Sequence, residues 1–112
     1  MLPTLNRAVA IVTPKQPFLD WLHNADATSR TLTLKDVGAP AAYLLPEADD
    51  DKDELTCIRR YCGRIFEEQL DSWFRDMNSW PRNRDFKTFC LWFDYQLHAM
   101  VLDIADGPLR HH

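Results

Sequence analysis

The sequence contains few of the features that mark specialised protein classes. It has only three glycines in 112 residues and no internal repeat, so a collagen-like or disordered chain is excluded. No run approaches the ~18–20 apolar residues that cross a bilayer. The first residues do not show the basic segment, the apolar core or the cleavage site of a secretory signal. With 46 % apolar and 27 % charged residues, the composition indicates a globular domain, which we expect to be cytoplasmic.

Cysteine is scarce, and its spacing is not that of a metal site or a disulfide framework. Cys57, Cys62 and Cys90 are an odd number, and no CxxC pair occurs. Cys57 and Cys62 lie five residues apart, which places them on different sides of a helix. We therefore expect reduced thiols in a cytoplasmic protein, with no metal and no cofactor.

Negative charge is concentrated in one segment. The formal net charge is −4, and residues 47–54 carry six acids and one base, which is −5, so the rest of the chain sums to +1. Because positive and negative charges nearly cancel outside residues 47–54, the chain has no excess of positive charge to neutralise phosphates. This argues against binding to duplex nucleic acid. The acidic run itself has two interpretations. It is a solvated start of a helix, at the positive end of the helix dipole, or it attracts a basic partner, as in an acidic inhibitor.

Apolar periodicity and turn residues divide the chain into six elements. Strands are predicted over residues 6–13, 41–45 and 95–104. Helices are predicted over residues 17–24, over 51–76, and after a cap at Asn83 or Asp85. The long helix is the best defined, because its apolar positions from Leu55 to Met77 fall within one arc of the helix surface.

These elements predict an α/β (α+β) fold in a single domain spanning residues 1–112, with a loose loop over 25–39 and a flexible tail over 105–112. Within the loop, a single helical turn is predicted over Leu34–Val37, capped by Thr33 and ended by Gly38. The order is β-α-β-α-α-β. The first two strands are expected to be parallel, joined by a right-handed crossover, and the last strand antiparallel. The prediction is a three-stranded mixed sheet with helices mainly on one face. A sheet this narrow leaves one face short of cover, which favours association with a partner.

Arg59 is the first candidate functional residue. It lies within the apolar arc of the long helix, and the next turn carries Gly63. The missing side chain at Gly63 makes a small basic notch that suits a carboxylate or phosphate. The alternative is an arginine that reaches water or pairs with Asp94 or Asp103.

The segment Trp80-Pro81-Arg82-Asn83-Arg84 is the second candidate. A tryptophan beside two arginines on a loop stacks on and clamps a nucleobase or an anion. The alternative is an anchor in which Trp80 fills the core, while Arg82 and Arg84 meet solvent or the carbonyls at a helix end.

His98 is the third candidate. Asp94 and Asp103 are near it in sequence, and a histidine–carboxylate pair performs general acid–base chemistry or orients a nucleophile such as Cys90. No nucleophile elbow, phosphate loop or metal-ligand spacing accompanies it. A structural histidine is the alternative, and whether the chain is an enzyme stays open.

Three aromatic residues fall at the edge of the apolar arcs of their helices or outside them: Tyr61, Phe74 and Trp92. Aromatic side chains in such positions are typical of a contact surface with another chain. The alternative is that a small sheet protein uses bulky side chains on two faces of its helices.

Several short motifs spread over most of the chain resemble those of a group of small uncharacterised bacterial proteins. The motifs are Ala8–Val12 followed by Pro14-Lys15-Gln16-Pro17-Phe18-Leu19-Asp20-Trp21-Leu22, then Ala42-Tyr43-Leu44-Leu45-Pro46-Glu47, Trp80-Pro81 with Arg84, and Trp92-Phe93-Asp94 with His98. The resemblance implies a bacterial, intracellular protein and brings no activity, ligand or catalytic residue with it.

Together these patterns favour a non-catalytic protein that works by binding, as a homodimer or as an adaptor for another protein. The first alternative is a small-ligand protein or enzyme whose pocket uses Arg59, Arg84 and His98. The second alternative is an acidic inhibitor of a basic site.

Overall fold

The computed structural model describes the backbone of residues 3–47 and 51–111, and the side chains of these residues apart from 51–53. Most of the acidic run, including Asp49 and Asp50 and the side chains of Asp51 and Asp53, therefore lies outside the described residues. Within the described ranges, no helix combines the length and the apolar character that crossing a membrane requires.

The chain is a mixture of helices and three strands, which confirms the mixed fold class. The elements are β1 (Arg7–Pro14), α1 (Gln16–Ala25), a 3₁₀ turn (Ala27–Ser29), α2 (Leu34–Val37), β2 (Ala41–Pro46), α3 (Asp51–Trp73), a second 3₁₀ turn (Met77–Ser79), α4 (Phe86–Trp92) and β3 (Phe93–His98). Within the segment 25–39, the helical turn predicted over Leu34–Val37 is present as α2, and the structure adds a turn of 3₁₀ helix over Ala27–Ser29.

Local sequence explains where the helices begin. Pro17 lies in the first turn of α1, where its missing amide proton costs no hydrogen bond. At the start of α2, the amide of Thr33 donates to Asp36 Oδ2 at 2.7 Å. At the start of α4, Asp85 Oδ1 accepts from the amide of Thr88 at 2.9 Å. These hydrogen bonds satisfy amides that the helix itself leaves without partners.

The sheet is antiparallel throughout, in the order β2-β1-β3. The prediction of a mixed sheet with parallel first and second strands is therefore wrong. Two helices, α1 and α2, lie between β1 and β2 and contact each other. The connection therefore returns to the end of the sheet that it left, so that Ala41 at the start of β2 pairs with Val12 near the end of β1. A single helix would have returned the chain to the opposite end.

The core lies between the sheet and the longest helix. Among the described side chains of α3, five apolar ones are buried there: Ile58, Cys62, Ile65, Phe66 and Leu70. From β1, alternate residues Ala8, Ala10 and Val12 are buried, while Val9 and Ile11 between them are half-buried on the other face. The apolar arc is thus confirmed for the middle of α3, whereas Leu55 and Trp73 near its ends are exposed. The helix also ends at Trp73 rather than at residue 76.

The two ends of the described chain pair with each other beyond the sheet. The amide of Leu5 donates to the carbonyl of Val101 at 2.8 Å, and the amide of Asp103 donates to the carbonyl of Pro3 at 2.9 Å. We call residues 3–5 together with residues 99–104 the terminal ribbon. Strand β3 therefore ends at His98 rather than at residue 104, and Leu102 forms only an isolated bridge to Thr4.

Candidate functional site

A cleft of about 700 Å³ lies between strand β2 and helix α3. Tyr43 and Leu44 line it from β2, and Tyr61, Arg64 and Glu68 line it from α3. Arg7, the first residue of β1, also lines it. The register of the sheet explains the position of Arg7, because this residue pairs with Pro46 at the end of β2. We call this feature the β2–α3 cleft.

A chain of hydrogen bonds holds the polar wall of the cleft. The hydroxyl of Tyr43 donates to Glu68 Oε2 at 2.5 Å and accepts from Gln69 Nε2 at 2.7 Å. The hydroxyl of Ser72 donates to Glu68 Oε1 at 3.1 Å. Gln69 is only 6 % exposed, so its amide depends on Tyr43 for a partner. The carboxylate of Glu68 is therefore held in place from two sides.

Burial of the Tyr43 ring raises the pKa of its hydroxyl well above the usual range, and the hydrogen bond to the Glu68 carboxylate raises this pKa further. Both effects have the same physical origin, since an ionised phenolate would lose hydration and would face a negative charge. Tyr43 is thus a neutral donor at physiological pH. Its hydroxyl holds the Glu68 carboxylate at the wall of the cleft.

The charged side chains of the cleft are balanced. Arg7 and Arg64 are exposed cations, and Glu47 and Glu68 are exposed anions. The guanidinium of Arg7 donates to the carbonyl and to Oδ1 of neighbouring Asn6, at 2.9 and 3.1 Å. With aromatic and aliphatic surface between these charges, the cleft suits a ligand that has both polar and apolar groups.

Strand β2 forms an edge of the sheet beside this cleft. None of its six residues is charged, and Leu44 is 50 % exposed. The other edge strand, β3, presents Asp94, Gln96 and His98 as exposed polar residues. Charged residues on an edge strand hinder pairing with another chain. Proline has the same effect, and in β2 it occurs only at the last position, Pro46. Strand β2 from Ala41 to Leu45 is therefore the less protected edge.

The structure places Arg59 on an aromatic surface instead of in an open notch. Its guanidinium carbon lies 5.1 Å from the centre of the Phe86 ring, which is the geometry of a cation–π contact. A Cβ atom added at Gly63 would lie 3.9 Å from the carbonyl oxygen of Arg84. The gap at Gly63 is thus bordered by the loop that precedes α4.

The segment 80–84 makes contacts mainly within the fold. The indole of Trp80 donates to the carbonyl of Phe74 at 2.8 Å. Arg84 donates to the carbonyl of Pro81 at 2.6 Å and forms an ion pair with Glu67 at 3.1 Å. Arg82 is exposed. These contacts match the interpretation of Trp80 and Arg84 as structural anchors.

His98 lies at the end of β3, opposite Val9 and exposed to solvent. Asp94 lies four residues earlier on the same face of the strand and is 3.7 Å from the ammonium group of Lys15. In a strand this spacing separates the two side chains by about 13 Å. The β2–α3 cleft is lined by none of Arg59, Arg84 and His98. The geometry therefore does not bring these three side chains together in that cleft.

The three aromatic candidates differ in their surroundings. Tyr61 is half-buried and lines the β2–α3 cleft. Trp92 packs against the core, with its ring centre 5.2 Å from that of Phe66 and 6.3 Å from that of Phe18. Phe74 is also half-buried against the core. Of the three, only Tyr61 is placed where another molecule would meet it in the cleft.

Sequence reasoning missed most of the cleft. Tyr43, Arg64 and Glu68 drew no attention as single residues, although a signal was present in α3. Tyr61, Arg64 and Glu68 are spaced three and four residues apart, which places them on one stripe of the helix. The partner stripe on β2 is only apparent once the strand is known to lie at the edge of the sheet.

No protein-family model, curated protein or solved structure matches this chain. The resemblance to small bacterial proteins therefore stays a prediction. Among the residues whose side chains are described, no three His, Cys, Asp or Glu residues come together as a metal-binding group. The functional argument depends on the geometry of the cleft and of the strand beside it.

Proposed function

We propose that this protein works by binding rather than by catalysis, and that it associates with a second copy of itself through the edge strand β2. The observation that carries the proposal is the uncharged, exposed edge of β2 next to the β2–α3 cleft. An edge strand offers unpaired backbone amides and carbonyls, and an adjacent cleft accepts side chains from the added strand.

The proposal includes the arrangement of the layers. We infer that the helices cover mainly the face of the sheet that carries Ala8, Ala10 and Val12. Support comes from the opposite face, where Leu44 is exposed and Val9 and Ile11 are only half-buried. A second chain that extends the sheet at β2 would also shield part of this face.

The proposed location is the cytoplasm. Cys57, Cys62 and Cys90 are all free thiols in the structure, which suits a reducing compartment. Burial raises the pKa of the Cys62 thiol, and the same effect raises that of Cys57. Both thiols are therefore poor nucleophiles at neutral pH, in agreement with a protein that does not use them in chemistry.

Sedimentation equilibrium on the purified chain tests the proposal. The wild type should show a mass above that of the 13.1 kDa chain, increasing with concentration to that of a dimer. Leu44→Lys places a charge on the β2 edge without touching the core and should give a monomer. Gln96→Lys, on the other edge strand, is the matched control and should behave as wild type. A wild-type chain that stays monomeric at high micromolar concentration would contradict the proposal.

A second candidate function is the binding of a small molecule in the β2–α3 cleft. The volume of about 700 Å³ favours it, because it falls within the ~300–1,000 Å³ of ligand pockets. A fragment library screened by NMR provides the test. Binding at this site predicts chemical-shift changes at Tyr43 and Arg64, whereas shifts confined to other parts of the chain would exclude it.

A further inference from the structure

Two opposite charges lie on one stripe of α3 in the β2–α3 cleft without pairing. Arg64 and Glu68 both line the cleft, and they are four residues apart, a spacing at which side chains of opposite charge meet on a helix. Each ion pair among the described residues is made by other side chains, so Arg64 and Glu68 do not pair with each other. The cation therefore stands beside an anion that it does not contact.

The hydrogen bonds of Glu68 explain why this pair does not form. Tyr43 donates to one carboxylate oxygen of Glu68 and Ser72 donates to the other, so the carboxylate is held away from Arg64. A carboxylate has about four acceptor positions on its two oxygens, and these two donors use one position on each oxygen. Glu68 is thus a fixed carboxylate in the cleft that can still accept from a donor on a ligand.

The balance of charge in the cleft favours a ligand that carries both signs. A purely anionic group bound at Arg64 would lie about 6 Å along the helix from Glu68, and the two negative charges would repel each other. A positive group on the same ligand turns this repulsion into attraction. Arg7 and Glu47 also line the cleft, so its other end again has a cation and an anion.

The walls of the cleft limit the length of the ligand. Glu68 contacts Tyr43. Arg7 pairs with Pro46, three residues further along β2, which is about 10 Å in a strand. In an α-amino acid the ammonium nitrogen and the carboxylate carbon are about 2.5 Å apart, and one further residue adds about 3.5 Å. An amino acid therefore reaches from Glu68 to Arg64, and a dipeptide extends towards Arg7.

Apolar surface lies beside these charges. The half-buried ring of Tyr61 lines the cleft three residues before Arg64. Leu44 lines it from β2 and is 50 % exposed. Aromatic and aliphatic surface with a few placed polar groups is typical of small-molecule sites. The apolar part of a ligand can therefore pack against Tyr61 and Leu44 while its charged groups meet α3.

We propose that the β2–α3 cleft binds a small zwitterion, with a free ammonium group and a free carboxylate beside an apolar side chain, as in an apolar amino acid or a short peptide. The ligand carboxylate lies against Arg64, and its ammonium group donates to Glu68. This inference rests on the second candidate function above, the binding of a small molecule in this cleft, and it names the class of that molecule. Self-association through the backbone edge of β2 is a separate proposal with its own test.

The solvent exposure of the charged groups sets the expected affinity. Arg64 and Glu68 are exposed, and exposed ion pairs contribute little because water screens them. For a ligand of about a dozen non-hydrogen atoms we expect a dissociation constant on the order of 0.1–1 mM. A ligand that binds this weakly exchanges fast, so NMR titration is the suitable measurement.

Titration of the isotope-labelled full chain with related probes tests the ligand class. L-phenylalanine carries both charges, N-acetyl-L-phenylalanine lacks the ammonium group, and L-phenylalaninamide lacks the carboxylate. Phenylalanine should give saturable shift changes at Tyr43, Tyr61 and Arg64, and each blocked form should bind ~3–5-fold more weakly. L-alanyl-L-phenylalanine distinguishes the two sources of the ligand. Tighter binding than phenylalanine supports a short peptide, and weaker binding supports a free amino acid.

Variants of the cleft assign each charge of the ligand to its partner. Arg64→Gln should bind phenylalanine ~3–5-fold more weakly and should no longer distinguish it from the amide. Glu68→Gln should lose affinity in the same way and should no longer distinguish phenylalanine from the N-acetyl form. Arg82→Gln is the matched control, because Arg82 is an exposed arginine outside the cleft, and it should change each dissociation constant less than ~2-fold. Circular dichroism checks that each variant keeps its fold.

The results that would overturn the proposal are distinguishable. Equal affinities for phenylalanine and its two blocked forms, or fragments that bind in the cleft where phenylalanine does not, would reject the zwitterion and keep the cleft as a ligand site. Tighter binding of N-acetyl-L-phenylalanine than of phenylalanine would show that the cleft takes an anion and would contradict the role of Glu68. Shift changes that avoid the cleft with every probe and every fragment would reject the second candidate function as well.

Discussion

The hydroxyl of Tyr43 on β2 lies 2.5 Å from the Glu68 carboxylate on α3, and this contact joins the edge of the sheet to the long helix. The two residues are 25 positions apart in the chain. Gln69 donates to the same hydroxyl, so one phenol satisfies two residues of α3. Tyr43 therefore joins strand β2 to two neighbouring residues of α3 in the polar wall of the β2–α3 cleft.

Replacing Tyr43 tests this dependence. Tyr43→Phe removes both hydrogen bonds and leaves the buried amide of Gln69 without its acceptor, so we expect a loss of ~1–3 kcal/mol in the free energy of unfolding. Tyr95→Phe is the control, because Tyr95 lies on β3 and its hydroxyl has no hydrogen bond among the described residues. Urea denaturation measures both variants. Equal stabilities for the two variants would show that the network contributes nothing.

Two glycines allow a matched pair of substitutions that should change the stability of the protein in opposite directions. At Gly38, after α2, an added Cβ would overlap the carbonyl oxygen of Leu34, so Gly38→Ala should destabilise the protein. At Gly63, inside α3, the added atom would make only an ordinary contact at 3.9 Å. Since alanine is favoured over glycine within a helix, Gly63→Ala should stabilise by ~0.5–1 kcal/mol. Thermal denaturation compares them, and a destabilised Gly63→Ala would contradict the packing described for α3.

Trp92 should act as a core residue and not as a contact residue. Its ring packs against Phe18, Trp21 and Phe66, so Trp92→Ala should cost ~3–5 kcal/mol of unfolding free energy. Trp73→Ala, at the exposed end of α3, should cost clearly less. Chemical denaturation gives the stabilities. If the Trp92→Ala variant were as stable as the Trp73→Ala variant, Trp92 would not be a core residue.

The cap of α4 predicts a pH dependence. Hydrogen bonds from the amide and the hydroxyl of Thr88 hold the pKa of Asp85 below its ordinary value of 3.8. Because the folded state favours the ionised form, the stability that Asp85 contributes is present above pH 3.8 and is lost as the pH falls through the lower pKa of the folded state. The difference in stability between wild type and Asp85→Asn should therefore shrink below pH 3.8. A difference that stays constant down to pH 2 would contradict this assignment.

The sequence predicted some elements well because their signals are local. The 3.6-residue period of α3 identified Ile58, Ile65 and Phe66 as buried, and all three are. Residue type and spacing left Asn83 and Asp85 as the two possible caps of α4, and the structure has Asp85. These features depend on the few residues around them, which is why they could be read without knowledge of the fold.

Other features depend on distant contacts and could not be predicted. The antiparallel direction of β2 accompanies the contact between α1 and α2, and neither the sequence of α1 nor the predicted turn at Leu34–Val37 shows that the two would pack together. Trp92 lies off the apolar stripe of its own helix, but α4 contacts both α1 and α3, so more than one of its faces is buried. The β2–α3 cleft joins residues of two consecutive elements, such as Tyr43 and Glu68, which are 25 positions apart in the chain. The apolar periodicity of a single helix or strand carries no information about which other element it will contact.

Amide hydrogen exchange of β2 at low and high protein concentration tests the proposed self-association most directly. Pairing of β2 with a second chain should slow exchange of amides within Ala41–Pro46 as concentration increases, and exchange of the β3 amides Phe93–His98 should stay the same. Exchange in β2 that is independent of concentration, while light scattering reports a single chain throughout, would contradict the account.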